Sequence, residues 1–362
     1  MTSLNEAVYP RGQVAGVYPA LSARPDEAYV DFIEDARNFL LHAQQGPLSE
    51  YSRKLIAEAG LTMSADADNT RRAIEVVMED PTVKTYYRLK RSLQEAFWGR
   101  VQSSYGARSA ELLAAFDAAD HMGPGSVSYD AKRPLPEYTK AEIHLQPGGY
   151  CHEPLAGMLY DFGLKVFMGG AADRDFVANM AARAAAVPAD GKVARVLDLG
   201  ASAGATTTAL KKIHAGSEVH GIDIGVPMVR YAHLRAVQQG VDVHFHQMNS
   251  AELAFPDGHF DMVLAMLLFH ELPVALARRT VEEAFRVLRP GGTFTIIDFS
   301  GDRKRDVYTM LFAELDAADN GEPFLPGYVR SNIEDVMQEV GFELKPYDHT
   351  KSLSTGRVGV KP

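Results

Sequence analysis

The chain has 362 residues, of which 46% are hydrophobic and 23% are charged, and its formal net charge is −10 at pH 7. This composition is typical of globular proteins with enough apolar material for two domains, and the acidic balance argues against a nucleic-acid backbone as the main partner. The only cysteine, Cys151, excludes an intrachain disulfide and agrees with a reducing compartment.

The start of the chain, MTSLNEAVYPRGQ, lacks the basic and apolar segments of a signal peptide. No apolar run reaches the roughly 20 residues that a membrane-spanning helix needs. We therefore expect a cytoplasmic protein without a membrane partner. Residues 1–25 carry proline and glycine without periodicity, which favours an irregular arm.

The next segments have helical periodicity and predict an N-terminal helical domain over residues 1–125. In DEAYVDFIEDARNFLLHAQQG, apolar residues share one helical face: Val30, Ile33, Ala36, Phe39 and Leu40. Asp26 is placed to cap this helix and Gly46 to end it. A homodimer formed through this helical domain is a further expectation.

Residues 126–190 are expected to form a linker or a lid that ends in two helices, because glycine and proline interrupt their first part. From residue 191 to 362, apolar runs such as ARVLDL, EVHGIDI and TFTIIDF alternate with helical segments at 203–214, 226–238, 275–288 and 303–318. This alternation predicts an α/β domain with a mostly parallel, doubly wound sheet. The C-terminal strands suggest that one strand runs antiparallel.

The turn LDLGASAGATT follows the first of these strands. It fails the dinucleotide fingerprint G-x-G-x-x-G, because Ser202 and Ala205 replace two glycines, and it lacks the Gly-Lys-Ser/Thr of a phosphate-binding loop. Asp198 precedes the turn, where a carboxylate would repel a pyrophosphate but attract an ammonium group. The turn therefore favours a cofactor with a cationic amine and no phosphate, such as S-adenosylmethionine.

A second acid and a polar pair follow the next two strands. Asp223 ends the second strand, where an acid can accept hydrogen bonds from ribose hydroxyls. Asn249 and Ser250 follow the third strand, and an asparagine amide can both donate to and accept from an adenine edge.

Residues 192–300 resemble a class I S-adenosylmethionine-dependent methyltransferase. The segments that carry the resemblance are VLDLGASAG, GIDI, NSAELAFPDGHFDMVLA, LLFHEL and FRVLRPGGTFTIIDF. The resemblance implies a Rossmann-like, mostly parallel seven-stranded sheet. It also implies which residues bind each part of the cofactor: Asp198, Gly200, Ala201, Ser202 and Gly204 bind the methionine part, Asp223 and Ile224 the ribose, and Asn249 and Ser250 the adenine, with Met266 beside them. This chain departs from the family pattern at two of these positions. Ser202 replaces the middle glycine of the turn, and Asn249 replaces an acid.

The resemblance also directs attention to MLLFHELP, which follows the fourth strand. His270 is a candidate general base and Glu271 a candidate group that orients it. The alternative is that both simply begin the next helix. Tyr150, His152 and Arg330 are candidate substrate contacts, with a surface linker as the alternative for the first two. No metal is predicted, because the spacing of the histidines matches no known metal-binding motif.

These residues together predict an S-adenosylmethionine-dependent enzyme that methylates an oxygen or a carbon of a small molecule, as in secondary metabolism. The alternatives are a methyltransferase that acts on proteins and a cofactor-binding protein without transfer activity. Nucleic-acid amino-methylation is disfavoured because no Asn/Asp-Pro-Pro-Tyr/Phe stretch follows the fourth strand. A nicotinamide oxidoreductase is disfavoured by the failed glycine fingerprint.

Overall fold

Five α-helices occupy the first part of the chain, and a π-helical turn joins the first two. The computed structural model describes residues 21–167, 174–299, 306–347 and 355–362, so most of the arm expected over residues 1–25 lies outside the described residues. No helix in these ranges is both long and apolar enough to cross a membrane. The five helices are α1 (Arg24–Asn38), α2 (Gln45–Glu58), α3 (Ala67–Glu79), α4 (Pro81–Gly106) and α5 (Ser109–Ala119).

The first helix departs from its predicted limits and face. Gly46 does not end it, because α1 continues through the π-helix Phe39–Gln44 directly into α2. Asp26 lies within the first turn of α1 and not at its N-cap. A π-helical turn holds more residues than an α-helical turn and so rotates the side chains that follow. Phe39, the first residue of this turn, is 58% exposed, while its neighbour Leu40 is buried.

A sheet of eight strands forms the centre of the rest of the chain, one more than the seven expected. The strands lie in the order β1-β4-β3-β2-β5-β6-β8-β7, and only β8 runs antiparallel to its neighbours among the described pairs. Their bounds are β1 (Ser126–Ser128), β2 (Arg195–Leu199), β3 (Glu218–Asp223), β4 (His244–Gln247), β5 (Phe260–Met266), β6 (Leu288–Asp298), β7 (Glu343–Lys345) and β8 (Thr355–Val360).

The predicted alternation of strands and helices is confirmed. The remaining helices are α6 (Ala156–Phe167), α7 (Arg174–Ala184), α8 (Ala205–Ile213), α9 (Val226–Gln239), α10 (Val274–Val287), α11 (Val307–Asp319), α12 (Leu325–Arg330) and α13 (Ile333–Val340). The strand order reverses at β2, which pairs with β3 on one side and β5 on the other. In open α/β sheets, ligands bind beyond the carboxyl ends of the strands at such a reversal.

The additional strand, β1, comes from the segment that was expected to be a linker or a lid. It pairs in parallel with β4 at the sheet edge. Its two serine hydroxyls contact histidine rings of β4, with Ser126 Oγ 3.0 Å from His244 Nδ1 and Ser128 Oγ 2.7 Å from His246 Nδ1. Three residues are too few to show a strand period in the sequence, so this pairing was not predicted.

The N-terminal helices pack on two parts of the α/β region. Phe97 and Trp98 of α4 share one apolar core with Met158 of α6 and Tyr231 of α9. A second core joins α2, α3 and α4 to Val307, Leu311 and Leu315 of α11. An ion pair between Lys90 and Asp316, with Nζ and Oδ1 2.5 Å apart, links α4 to α11 beside this second core. Helix α4 is therefore fixed to α6 and α9 through one core and to α11 through the other.

A row of histidines near β1 makes the stability of the fold sensitive to acid. The rings of His220 on β3 and His246 on β4 stack at 5.2 Å, and His220 Nδ1 lies 3.0 Å from His246 Nε2. Burial and the neighbouring histidines lower the pKa of His246 to about 4, and burial also lowers the pKa of His220. An unfolded histidine has a pKa of about 6.5. Between these values the unfolded chain binds more protons, so acid favours unfolding.

We therefore expect the free energy of unfolding to fall as the pH decreases below about 6.5. The replacement His246→Gln should make that loss smaller by on the order of 1 kcal/mol at pH 5. Urea unfolding at pH 7.5 and pH 5 measures the loss in each variant. His121→Gln, at an exposed histidine, should keep the wild-type loss. An equal loss in His246→Gln and wild type would contradict the prediction.

Candidate functional site

The turn between β2 and α8 has the left-handed backbone that its small residues allow. Gly200, Ser202 and Gly204 have φ values of +71°, +44° and +76°. At Gly204 a Cβ atom would lie 2.8 Å from the Ala232 Cβ and from the Phe245 ring, so only glycine fits there. Ser202 occupies the middle position despite its side chain. Its N–H donates to Asp223 Oδ2 at 3.1 Å, which ties the turn to β3.

Asp198 is buried on β2 and directed at helix α8. Its Oδ2 accepts a hydrogen bond from Thr207 Oγ1 at 2.6 Å, and burial raises its pKa to about 7. Asp198 does not line the cleft described below. Ala201 lies beside it in the turn, where its N–H donates to the Ile222 carbonyl at 2.8 Å. Asp198 therefore holds the start of α8 in place from behind the turn.

A cleft opens at the carboxyl edge of β2 and β3, where the strand order reverses. Its inner part is lined by fifteen described residues: Tyr138, Thr139, Ala141, Ile143, Tyr150, Cys151, Gly200, Ile222, Asp223, Ile224, Met248, Ser250, Leu268, Glu271 and Leu272. An outer part shares Ile224 and Met248 and adds Asn249 and the segment 133–136. The inner lining contains two acids and no lysine, arginine or histidine.

Asp223 is one of the two acids, and the turn and the next helix hold its carboxylate. Besides Ser202, the N–H of Gly225 donates to it, at 2.9 Å from Oδ1. Burial raises the pKa of Asp223 to about 6, although these backbone donors lower it. A carboxyl group that is partly exposed to a cleft and has a raised pKa is stabilised by a ligand that brings hydrogen-bond donors or positive charge.

Glu271, the second acid, lies where three other polar side chains meet. Tyr150 Oη donates to Glu271 Oε1 at 3.0 Å. The same oxygen is 3.9 Å from His270 Nε2 and 3.8 Å from His144 Nε2. Burial raises the pKa of Glu271 to about 7, while the two imidazoles and Tyr150 lower it. A carboxyl group with a pKa near neutrality can both accept and release a proton.

Each of the two histidines is held by a second carboxylate through its other ring nitrogen. His270 Nδ1 is 2.8 Å from Oδ1 of Asp298, which ends β6, and His144 Nδ1 is 2.7 Å from Glu322 Oε1. Asp298 raises the pKa of the buried His270 to about 10. His270 is 2% exposed, and Glu271, not His270, lines the cleft. Asp298 orients His270, which differs from the expectation that Glu271 would do so.

The other predicted site residues lie at varying distances from the cleft. Ser250 lines it, and its Oγ is 2.9 Å from Thr280 Oγ1. Met266 Sδ accepts from Thr206 Oγ1 at 3.3 Å, outside the lining. His152 is exposed and does not line the cleft. Arg330 pairs with Glu314 near the surface, also outside the lining.

Sequence reasoning missed Asp298, Glu322 and the part that His144 plays here. Asp298 had a signal, because an acid that ends a strand beside β5 lies at the same sheet edge as Asp198 and Asp223. Glu322 follows α11 and has no signal in the sequence. Within the described ranges, no group of three or more histidine, cysteine or acidic side chains is arranged to hold a metal ion.

Comparisons with known proteins agree with this geometry. Residues 196–292 match the family described as a methyltransferase domain. The chain is 32% identical over 142 residues to the demethylmenaquinone methyltransferase of Thermus thermophilus, which covers 38% of this chain and 61% of that protein. It is 30% identical over 173 residues to the ubiquinone/menaquinone biosynthesis C-methyltransferase UbiE of Vibrio campbellii, which covers 42% of this chain and 66% of that protein. The chain thus spans less than two thirds of the length of these relatives.

Among solved structures, a SAM-dependent methyltransferase from Aquifex aeolicus is similar at 23% identity and a TM-score of 0.36, covering 47% of this chain and 82% of that one. The matched residues 196–292 run from β2 into β6 and include the glycine turn, Asp223 and Glu271. The resemblance of these segments is thereby confirmed. Residues 196–292 of the sheet-forming part therefore resemble a methyltransferase domain in sequence.

Proposed function

We propose that the protein transfers a methyl group from S-adenosylmethionine to a neutral small molecule that carries an ionisable hydroxyl group. The observation that carries this proposal is the lining of the inner part of the cleft, in which two acids with raised pKa values stand among apolar, aromatic and uncharged polar side chains without a basic side chain. Such a lining suits a cationic donor molecule and a neutral acceptor that must lose a proton.

The charge of the cleft supports S-adenosylmethionine and disfavours a dinucleotide. The cofactor has a cationic ammonium and a sulfonium group, whereas a pyrophosphate in the inner part of the cleft would meet Asp223 and Glu271 with no cation among the residues that line that part. Asp223 would accept from the ribose hydroxyls, and Asn249 in the outer part of the cleft would bind the adenine. When bound, S-adenosylmethionine supplies an electrophilic methyl group and leaves as a neutral thioether.

Glu271 is the proton acceptor in this proposal. It lines the cleft, and its carboxylate can take the proton of an acceptor hydroxyl, so that the resulting anion attacks the methyl group. His270 does not line the cleft and acts through Glu271. Because Asp298 favours the imidazolium form of His270, that ring places positive charge beside the Glu271 carboxylate. Tyr150 donates to the same oxygen and limits the orientations of the carboxylate.

The shape of the acceptor follows from the remaining walls. Tyr138, Ile143, Leu268 and Leu272 are apolar or aromatic and favour a flat, weakly polar molecule such as a phenol or a hydroquinone. Deprotonation of a ring hydroxyl activates both that oxygen and the ring carbon next to it. The relatives include C-methyltransferases of quinone biosynthesis, which favours the ring carbon as the methylated atom. A bulky protein chain fits this covered cleft less well.

The first prediction concerns the cofactor. Asp223→Asn should weaken binding of S-adenosylmethionine by about 1–3 kcal/mol, because a neutral amide replaces the carboxylate that accepts from the ribose. Isothermal titration with S-adenosylmethionine and S-adenosylhomocysteine measures the effect, and NAD should not bind to either protein. Asp242→Asn, at an exposed aspartate before β4, should bind like wild type. Unchanged affinity in Asp223→Asn would mean that the ribose lies elsewhere.

The second prediction concerns the proton acceptor. With saturating cofactor and a phenol or hydroquinone that yields product, Glu271→Gln should lower turnover about 100-fold or more. Wild-type turnover should fall at acid pH with a midpoint near the Glu271 pKa of about 7, because the protonated carboxyl cannot accept a proton. Glu282→Gln, on the exposed face of α10, should keep both properties. Full turnover in Glu271→Gln would exclude Glu271 as the base, and product mass spectra distinguish oxygen from carbon methylation.

A further inference from the structure

His144 reaches the site from a backbone conformation that side chains rarely adopt. Its φ is +55° and that of Leu145 is +56°, both in the left-handed region. Such conformations persist only where the surroundings impose them, and they cluster at functional sites. At His144, contacts from two other parts of the chain impose it. Its N–H donates to the Gly321 carbonyl at 3.2 Å, and its carbonyl accepts from Trp98 Nε1 at 2.7 Å and from Gln94 Nε2.

Trp98 and Gln94 both belong to α4, so an N-terminal helix holds this backbone. Gln94 is itself oriented, because its Oε1 accepts from Arg37 Nη1 of α1 at 2.8 Å. Trp98 is buried in the core that α4 shares with α6 and α9. The position of His144 therefore depends on helices outside the matched methyltransferase segment.

The partner of His144 indicates that its ring is charged. Glu322 is 2% exposed, and its Oε1 lies 2.7 Å from His144 Nδ1, so a protonated His144 ring compensates the charge of this buried carboxylate. A buried carboxylate next to a neutral ring would be poorly compensated. The pKa of His144 is raised by Glu322 and Glu271, against the lowering effect of burial.

The charged ring of His144 faces Glu271, as that of His270 does. The distances from Glu271 Oε1 to the two Nε2 atoms are nearly equal, 3.8 Å and 3.9 Å. We propose that His144, paired with Glu322 and held by α4, is a positioning residue that keeps Glu271 in its carboxylate form. This inference rests on the proposed function in so far as Glu271 is the proton acceptor of the reaction.

Several other groups also face Glu271 and contribute to its charge state. They come from every element around it: His270 from its own turn, Asp298 behind His270 on β6, Tyr150 and Tyr160 from the segment that covers the cleft and from α6, and Glu322 after α11. Asp298 pairs with His270 and Glu322 pairs with His144. Removal of one histidine therefore removes one of two cations near the Glu271 carboxylate and leaves the other in place.

The test measures the pKa of Glu271 directly in His144→Asn. Asparagine tolerates the left-handed conformation and cannot be protonated, so the backbone is preserved while the charge is lost. Carbon-13 NMR of the labelled glutamate carboxyls in the full-length protein, with Glu271 assigned by the signal missing in Glu271→Gln, gives that pKa without cofactor or acceptor. We expect it to rise by about one pH unit, since an opposite charge within 4–6 Å typically shifts a pKa by 1–3 units.

Two further variants make the result specific. His121→Asn, at an exposed histidine, should leave the Glu271 pKa at its wild-type value. Trp98→Phe keeps an aromatic ring in the core but removes one donor to the His144 carbonyl, and it should raise the Glu271 pKa by a smaller amount. If His144→Asn does not fold, Trp98→Phe carries the test alone. In turnover assays, the acid limb of the rate profile should move to higher pH in His144→Asn with KM unchanged.

The two proposals fail in different ways. An unchanged Glu271 pKa in His144→Asn and Trp98→Phe would overturn the positioning role, whatever the protein catalyses. A raised pKa without methyl transfer to any phenol or hydroquinone would support the influence of His144 on Glu271 and contradict the proposed function. A raised pKa together with a shifted acid limb would support both.

Discussion

The compensation of buried carboxylates is the constraint on which the site depends. Asp198, Asp223 and Asp298 lie at or near the carboxyl ends of β2, β3 and β6. Asp198 and Asp298 are buried, and Asp223 is half-buried at the cleft. Burying a charged group costs free energy unless the group is paired or hydrogen-bonded, and each of these three carboxylates is compensated by a different kind of partner. One accepts from the hydroxyl of Thr207, one from two backbone amides and one pairs with an imidazole, that of His270.

The same hydrogen bonds and the ion pair position the turn, the helix starts and the histidine that surround the cleft. The hydrogen bond to Thr207 fixes the first turn of α8, and the amides that donate to Asp223 belong to the glycine turn and to the residue before α9. The His270–Asp298 pair places a charged ring behind Glu271. The same interactions that stabilise the acids therefore shape the cleft and set the protonation state of the group that faces it.

The cleft is completed by parts of the chain that are distant in sequence from the matched domain. Six of the fifteen residues of the inner lining come from residues 138–151: Tyr138, Thr139, Ala141, Ile143, Tyr150 and Cys151. This covering segment is in turn held by α4, whose Trp98 and Gln94 donate to the His144 carbonyl. The N-terminal helices thus contribute to the cleft by holding the segment 138–151 in place, although none of the fifteen inner lining residues belongs to these helices.

Elements with a strong local signal were predictable, and elements that depend on distant contacts were not. The alternation of apolar strands and amphipathic helices predicted β2 to β6 and α8 to α11, and the glycine turn with Asp223 predicted the place of the cleft. The first helix was predicted with the wrong end and partly the wrong face, because the π-helical turn at Phe39 has no sequence pattern of its own. The strand β1 was missed because three residues show no period.

The sequence by itself determined the α/β class, the alternation of strands and helices along the chain and the turn at Gly200 to Gly204, and it indicated a cofactor without phosphate. These follow from periodicity, glycine content and the sign of charge beside a strand end, which are local properties of the chain. Only the tertiary structure decided that Asp298 holds His270, that Glu322 holds His144, and that both rings meet Glu271. Those contacts join residues up to 178 positions apart (322 − 144). No spacing in the sequence encodes such a distance, because it results from how the helices and the sheet pack.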